Sequence, residues 1–258
     1  MSYVITPLRY GTQQVRGPQV FFQGHWDERI EFAFYVFLIQ GEGRTAVVDC
    51  GIDDPSAIND LLAAGLGPDG LVRLREDRRG VAELLAAEGV ALEDVDYVAL
   101  THFHSDHVGN VAMFPRARFL VSGEGWRRHQ RLLSERPQMV PDPVFPTAAV
   151  SFLEDVLADR VDLLEDGATP LPGMSVRHVG GHTADSAAFT VPTEDGVVVI
   201  PGDTIWTYAN LDGDVPVGAA VDVAECYAAM EWARTAGDLV LPTHDPLVQQ
   251  RHPRGVGR

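Results

Sequence analysis

Residues 100–110 read LTHFHSDHVGN and follow the apolar run at 95–100. An apolar run that gives way to a polar, Gly-containing stretch is the pattern of a buried strand passing through a turn into a helix start. His102, His104, Asp106 and His107 are thereby brought to one strand end. Three imidazoles and a carboxylate so close together repel one another, or leave polar atoms unpaired in an apolar setting, unless a divalent cation gathers them. A polar loop that happens to be rich in His is the plainer alternative, but this spacing suits metal ligation.

Further along the chain the same context recurs. His182 follows Gly-Gly in VRHVGGHT, Asp203 stands where the apolar run 197–201 stops, and His244 stands where the run 238–242 stops. One tetrahedral ion uses three or four protein ligands, so His102, His104, Asp106, His107, His182, Asp203 and His244 together suit two ions that share a carboxylate and a water. Imidazole and carboxylate without thiolate suit Zn²⁺ first, with Fe, Mn or Co compatible. Two such cations bring the pKa of a shared water down to about 7 and polarise a carbonyl or leaving oxygen, which makes hydrolysis the natural reaction class. Asp49, ending the run VVD, has two readings: an acceptor for the free ring N–H of a ligand His, or a turn cap.

Length and composition set the outer limits. A chain of 258 residues with 45 % hydrophobic content is expected to fold as a single domain over 1–258 with a sizeable core. A formal net charge of −17 repels phosphate backbones and anionic headgroups, so the expected partner is a small-molecule substrate, with no nucleic acid and no membrane. The chain has no apolar run of membrane-spanning length, and its start lacks a basic region followed by an apolar stretch, so a cytoplasmic location is expected. Monomer and homodimer are both compatible with the sequence. Cys50 and Cys226 lie outside any zinc-type cluster and read as two buried thiols, a disulfide between them being the alternative.

Residues 32–40 and 45–49 form a hairpin pattern around GEGR, and 95–100, 118–122 and 161–164 read as strands. Residues 55–65, 81–89, 151–159 and 223–236 have helical spacing, while 67–80 reads as a charged, solvated connection. Residues 124–146, with Trp126, His129 and four prolines, have no clean period and read as a lid, with His129 at the surface. In FFQGHWDER, Phe22 and Trp26 are candidates for a pocket mouth, edge packing being the alternative. His178 is read as a mid-strand face residue. Each half of the chain is strands followed by helix with polar ligands at strand ends, which suggests two similar halves facing a shared site.

The ordered set His102, His104, Asp106, His107, His182, Asp203 and His244 resembles the metallo-β-lactamase fold superfamily, over roughly residues 32–244. Within it, VDYVALTHFHSDHVGN, LPGMSVRHVGGHTADS and GDTIWTYANLDGDVP are similar to the N-acyl homoserine lactonases, which quench quorum signals. The resemblance implies an α/β fold, the αββα four-layer sandwich. It places His102, His104 and His182 on one metal, Asp106, His107 and His244 on the other, and Asp203 between them, with Asp106 also handling the proton. The implied reaction is ring opening of a lactone by a metal-bridging hydroxide.

The chain departs from the lactonases at three places. Trp206 stands where a Tyr is usual, so its indole is expected over the substrate, and Tyr208, two positions on, is a candidate to supply the missing hydroxyl in catalysis. Asp185 stands where a Gly is usual, and Gly180 where a Pro is common. A thioester hydrolase of the glyoxalase II kind would use the same metals but carries a C-terminal helical region, whereas 14 residues follow His244 here. A metal-loaded binding or effector module with little turnover is the alternative outside enzymology.

Overall fold

The computed structural model describes residues 1–52, 54–66, 70–74 and 80–258, so most of the charged connection read at 67–80 lies outside the described residues. Strand β1 (Tyr3–Arg16) pairs antiparallel with β2 (Arg29–Gly41) along their length, and α1 (Gly17–Val20) joins them. From Phe32 to Ile39 every residue of β2 is buried, because both faces of the strand are covered. Alternate side chains go to opposite sides: Phe34, Val36 and Leu38 pack into one core, and Ala33, Tyr35, Phe37 and Ile39 into another.

The hairpin partner β3 (Arg44–Val48) leads to α2 (Ser56–Leu66), β4 (Arg73–Leu74), α3 (Val81–Ala87) and β5 (Tyr97–Ala99). After a short helix α4 (Ser105–Val108) come β6 (Arg118–Ser122), α5 (Gly123–Glu135), α6 (Thr147–Asp155), α7 (Leu157–Arg160) and β7 (Val161–Leu164). These strands form a seven-stranded sheet in the order β4-β1-β2-β3-β5-β6-β7. The second sheet is built from β8 (Ser175–His178), β9 (Ala187–Thr193), β10 (Gly196–Ile200) and, after α8 (Tyr208–Gly213) and α9 (Val223–Ala236), β11 (Leu239–Val240), in the order β11-β10-β9-β8. Helix α10 (Leu247–Arg251) follows.

Three layers of apolar contact hold four layers of structure. On its outer face the larger sheet carries Leu84 and Leu85 of α3, Trp126 of α5 and Leu153 of α6. Between the sheets, Tyr35, Phe37 and Val48 meet Val176, Phe189, Val191 and Ile200. Beyond the smaller sheet, Val199 packs against Met230 and Ala233 of α9. The fold is therefore the expected αββα sandwich, its halves consecutive in the chain and alike in plan but unequal in strand number. No helix among the described residues is long and apolar enough to cross a membrane.

Strand β1 runs well beyond its apolar residues, since polar positions such as Gln13 and Gln14 still pair with β2. Two local expectations are corrected. The helix read at 151–159 is two helices, α6 and α7, the first beginning just after Pro146. The first part of the supposed lid is a helix, Gly123–Glu135, whose N-cap Ser122 side chain accepts from the Gly125 N–H; its charged face hides a buried face of only Gly123, Gly125, Trp126 and His129.

Phe189 is fully buried between the sheets. Phe189→Ala should lower stability by about 3–5 kcal/mol in a denaturant titration, whereas Leu61→Ala, on an exposed helix position, should stay within about 0.5 kcal/mol of the parent.

Candidate metal centre

Strand β5 ends at Ala99, and the chain then runs through Thr101 and His102 into α4, with His104 at its N-cap. That path presents His102, His104, Asp106 and His107 on one side of the sheet ends. The second half contributes the rest. His182 follows Gly181, whose φ of +81° and contact with Cys226 leave no room for a side chain. Asp203 follows Gly202, at φ +58°, where a Cβ would meet the Ala187 carbonyl and Thr101. His244 follows Thr243, whose hydroxyl donates to Asp203 Oδ1 at 2.7 Å.

The seven side chains sort into two groups, each able to hold a metal ion: His102, His104, His182 and Asp203, and Asp106, His107, Asp203 and His244. Asp203 belongs to both. Its Oδ1 lies 3.3 Å from His107 Nε2, and its Oδ2 lies 3.1 Å from His244 Nε2, 3.5 Å from His182 Nε2 and 3.8 Å from His102 Nε2. Asp106 Oδ2 is 3.2 Å from His107 Nε2 and 3.7 Å from His244 Nε2, and His104 Nδ1 is 3.1 Å from His182 Nε2.

The outward ring nitrogens are all occupied where an oxygen can receive them. His107 Nδ1–H donates to Asp49 Oδ2 at 2.7 Å, His244 Nδ1–H to the Ala33 carbonyl at 3.1 Å, and His182 Nδ1–H to the Ala219 carbonyl. His102 Nδ1 meets the Thr101 hydroxyl at 3.1 Å, and that hydroxyl is itself turned to Asp49. Each of these rings therefore faces inward with a lone pair on Nε2. His102 Nε2 and His107 Nε2 are buried with no hydrogen-bond partner. Lone pairs converging on a carboxylate fit a cation and little else, so the residues present fit divalent metal ions.

The charges respond to this crowding. Burial pushes His102, His104 and His182 down, His104 to about 3. Burial also works against charge on His107 and His244, yet the carboxylates around them raise both, Asp106 and Asp203 leading for His107 and Asp203 for His244. Asp106 and Asp203 resist the upward push of burial: His107 chiefly holds Asp106 at about 2, and His244 and His107 hold Asp203 well below the carboxylate range.

Residues 32–244 match the family described as the metallo-beta-lactamase superfamily. The chain belongs to that superfamily. It is an enzyme of the hydrolase class, and lactonases are among its relatives. An N-acyl homoserine lactonase from a Bacillus species is 22 % identical over 192 residues, 73 % of this chain and 70 % of that one. Metallo-beta-lactamase domain-containing protein 1 of Xenopus laevis is 31 % identical over 170 residues, 66 % of this chain and 62 % of the relative. A solved structure of N-acyl homoserine lactone hydrolase, with the product N-hexanoyl-L-homoserine at its metal centre, superposes with a TM-score of 0.75 at 16 % identity, over 99 % of this chain and 100 % of that one.

Above the cluster of this superfamily member lies a cavity of about 210 Å³ that reaches His104, Asp106, His182, Asp203 and His244. Trp206 lines it, as expected, with its ring 5.4 Å from His182 and its Nε1–H unpartnered. Tyr208 does not. Thr207 caps α8 by a reciprocal pair of bonds with Asn210, and the turn begun there carries Tyr208 to a different cavity, its ring under the Arg251 guanidinium. The catalytic role expected of Tyr208 is therefore withdrawn. Phe22 and Trp26 do not line the cavity either: Trp26 is 71 % exposed, and it is Phe21 that turns inward to pack with Trp206.

His129, expected at the surface, is fully buried between Phe103 and Phe145, because α5 turns its one apolar face inward. Asp49 takes the ligand-orienting position rather than a cap. Sequence reading missed Phe32, whose ring stacks on His244 at 4.8 Å, and the wall residues Gln13, Gln19, Ile52 and Val144. Only the unbroken apolar run of β2 pointed to Phe32; the others carry no local signal.

Both cysteines are free and buried, and burial raises both thiols, Cys226 to about 12. Thiols raised in this way stay protonated and unreactive near neutral pH. Iodoacetamide should leave both unmodified in the native protein and label both after denaturation, read by mass spectrometry; labelling of the native protein with loss of activity would point to a thiol nucleophile.

Proposed function

We propose that this hydrolase opens the ring of an uncharged lactone of the N-acyl homoserine lactone kind. The observation that carries the reading is the wall of the cavity over the ligand cluster. Phe32, Phe34, Ile52, Ile58, Val144 and Trp206 make it apolar, and no Arg or Lys is among its described lining residues. A substrate bearing a carboxylate or phosphate would find no cationic side chain there, whereas a neutral cyclic ester with an apolar substituent matches the lining. The names of the lactonase relatives point the same way.

His102, His104 and His182 would hold one divalent ion, Asp106, His107 and His244 the other, and Asp203 would serve both; by donor type Zn²⁺ comes first, with Fe, Mn or Co compatible. When bound, such ions supply an activated water and polarise the ester carbonyl. The chain's own residues do the rest. Asp106, whose side chain is 20 % exposed against 4 % for Asp203, is the more open of the two carboxylates that line the cavity. Its carboxyl takes the proton released on attack and delivers it to the departing ring oxygen. The Trp206 indole and Gln19 stand on the same wall, where the indole would pack against the acyl substituent and limit its bulk.

A pH-indicator assay over neutral lactones, thioesters, phosphotriesters and β-lactams tests the reading, since opening a lactone releases a proton. Turnover should favour lactones and stop on chelation. Preferential cleavage of thioesters or of anionic β-lactams would overturn the substrate class, and a metal-loaded protein with no turnover would mark a binding module. Asp106→Asn should lower kcat by about 10²–10⁴. Trp206→Ala should change the ratio of kcat/KM between short and long acyl lactones in favour of the bulkier; an unchanged ratio would remove the indole from substrate selection.

A further inference from the structure

Asp185 stands three residues after His182 and is buried. Its Oδ2 accepts the Phe103 backbone N–H at 2.7 Å. Phe103 is the residue between His102 and His104. One step away, the Ala187 N–H donates to the Thr101 carbonyl at 2.7 Å, so the Asp185 side chain adds a second bond between the same two segments, each from a different half of the molecule. The loop it stands on is stitched internally, with the Thr183 N–H and hydroxyl both bonded to the Ser186 hydroxyl.

The other Asp185 oxygen, Oδ1, has no hydrogen-bond partner and lies 3.9 Å from His129 Nδ1. His129 is wholly enclosed and both of its ring nitrogens are unpartnered. Helix α5, which carries it, is pressed onto this loop at Gly125, where a Cβ would come 2.5 Å from the Asp185 carbonyl. Phe103 and Phe145 flank the His129 ring at 4.8 and 5.6 Å, and Phe145 also touches the His104 ring at 4.5 Å. A buried acceptor, an enclosed imidazole facing it and a ligand-bearing peptide thus form one connected unit behind the cluster.

We propose that Asp185 is a positioning residue: it ties the loop carrying His182 to the peptide between His102 and His104, with the buried His129 ring facing its second oxygen, and so aims three imidazoles at one point. The assignment rests on reading those three as the holders of one ion. Removing the carboxylate leaves the Phe103 N–H buried and unpaired, with the Ala187–Thr101 bond alone to hold the two segments in register. Groups that orient metal ligands from behind are worth 10–100-fold in metal affinity.

Zn²⁺ titration against a chromophoric chelator, on the full chain and its variants, reads this directly. Asp185→Ala should weaken one of two Zn²⁺ by about 10–100-fold and leave the other within about twofold. Asp185→Asn keeps an acceptor oxygen and should remain within a few-fold of the parent, with a protected Phe103 amide in hydrogen exchange of the metal-free protein; in Asp185→Ala that amide should exchange fast. His129→Leu leaves the tether intact and should weaken the same single ion by a smaller factor, which gives a readout even if Asp185→Ala does not fold. Equal weakening of both ions, Asp185→Asn as damaged as Asp185→Ala, or unchanged binding with Phe103 still protected in Asp185→Ala would each overturn the proposal. A parent chain that binds one Zn²⁺ or none would defeat the two-ion reading instead, and Phe103 exchange would still decide the tether.

Discussion

One buried carboxylate organises this molecule. Asp203 lies within 3.1–3.8 Å of four imidazole nitrogens, those of His102, His107, His182 and His244. Were these nitrogens donors, the arrangement would be a set of hydrogen bonds. The carboxylate of Asp49 and the carbonyls of Ala33 and Ala219 draw the ring protons of His107, His244 and His182 to the outer side, so acceptors face acceptors at the centre. Without cations, protons must return to some of these rings, and the raised affinities of His107 and His244 say which. With cations, the same geometry becomes favourable without rearrangement.

The fold supplies that geometry by placing ligands where strands end rather than within them. Side chains inside a buried strand are committed to packing, whereas the first residues beyond it can turn toward a common point while the sheet holds their backbone. Strain collects at these joints. Asp49 itself adopts φ +61° at the end of β3, a conformation a short polar side chain tolerates, and in doing so bonds the Thr101 N–H at 2.8 Å and His107 at once. Tyr10, from the other side, donates its hydroxyl to the Asp106 carbonyl at 2.9 Å. The site is thus held from behind by groups in both the first strand and the ligand-bearing loops.

Much of this was legible in the residues. The unbroken run of β2 was readable as a hairpin strand, and helix 223–236 was readable to its ends, because local periodicity and burial agree there. The convergence of the seven His and Asp side chains was legible because these residues at strand ends have few other uses. What was not legible depends on direction. Whether Trp206 or Tyr208 faces the cavity is decided by the capping of α8, which rotates one away from the other within two residues. Helix α5 was hidden by its charge, and His129 with it, since four buried positions, two of them Gly, among Arg, Glu and Gln give no clear period. The tether from Asp185 to Phe103 spans 82 positions and leaves no local mark in the chain at all.

The central claim is that Asp203 stands between two cation sites. Crystals of the metal-loaded protein, measured on either side of the absorption edge of the bound metal, test it most directly. The account predicts two anomalous peaks per chain, one among His102, His104 and His182, the other among Asp106, His107 and His244, with the Asp203 carboxylate touching both. A single peak, or two peaks with Asp203 turned away from either, would contradict it.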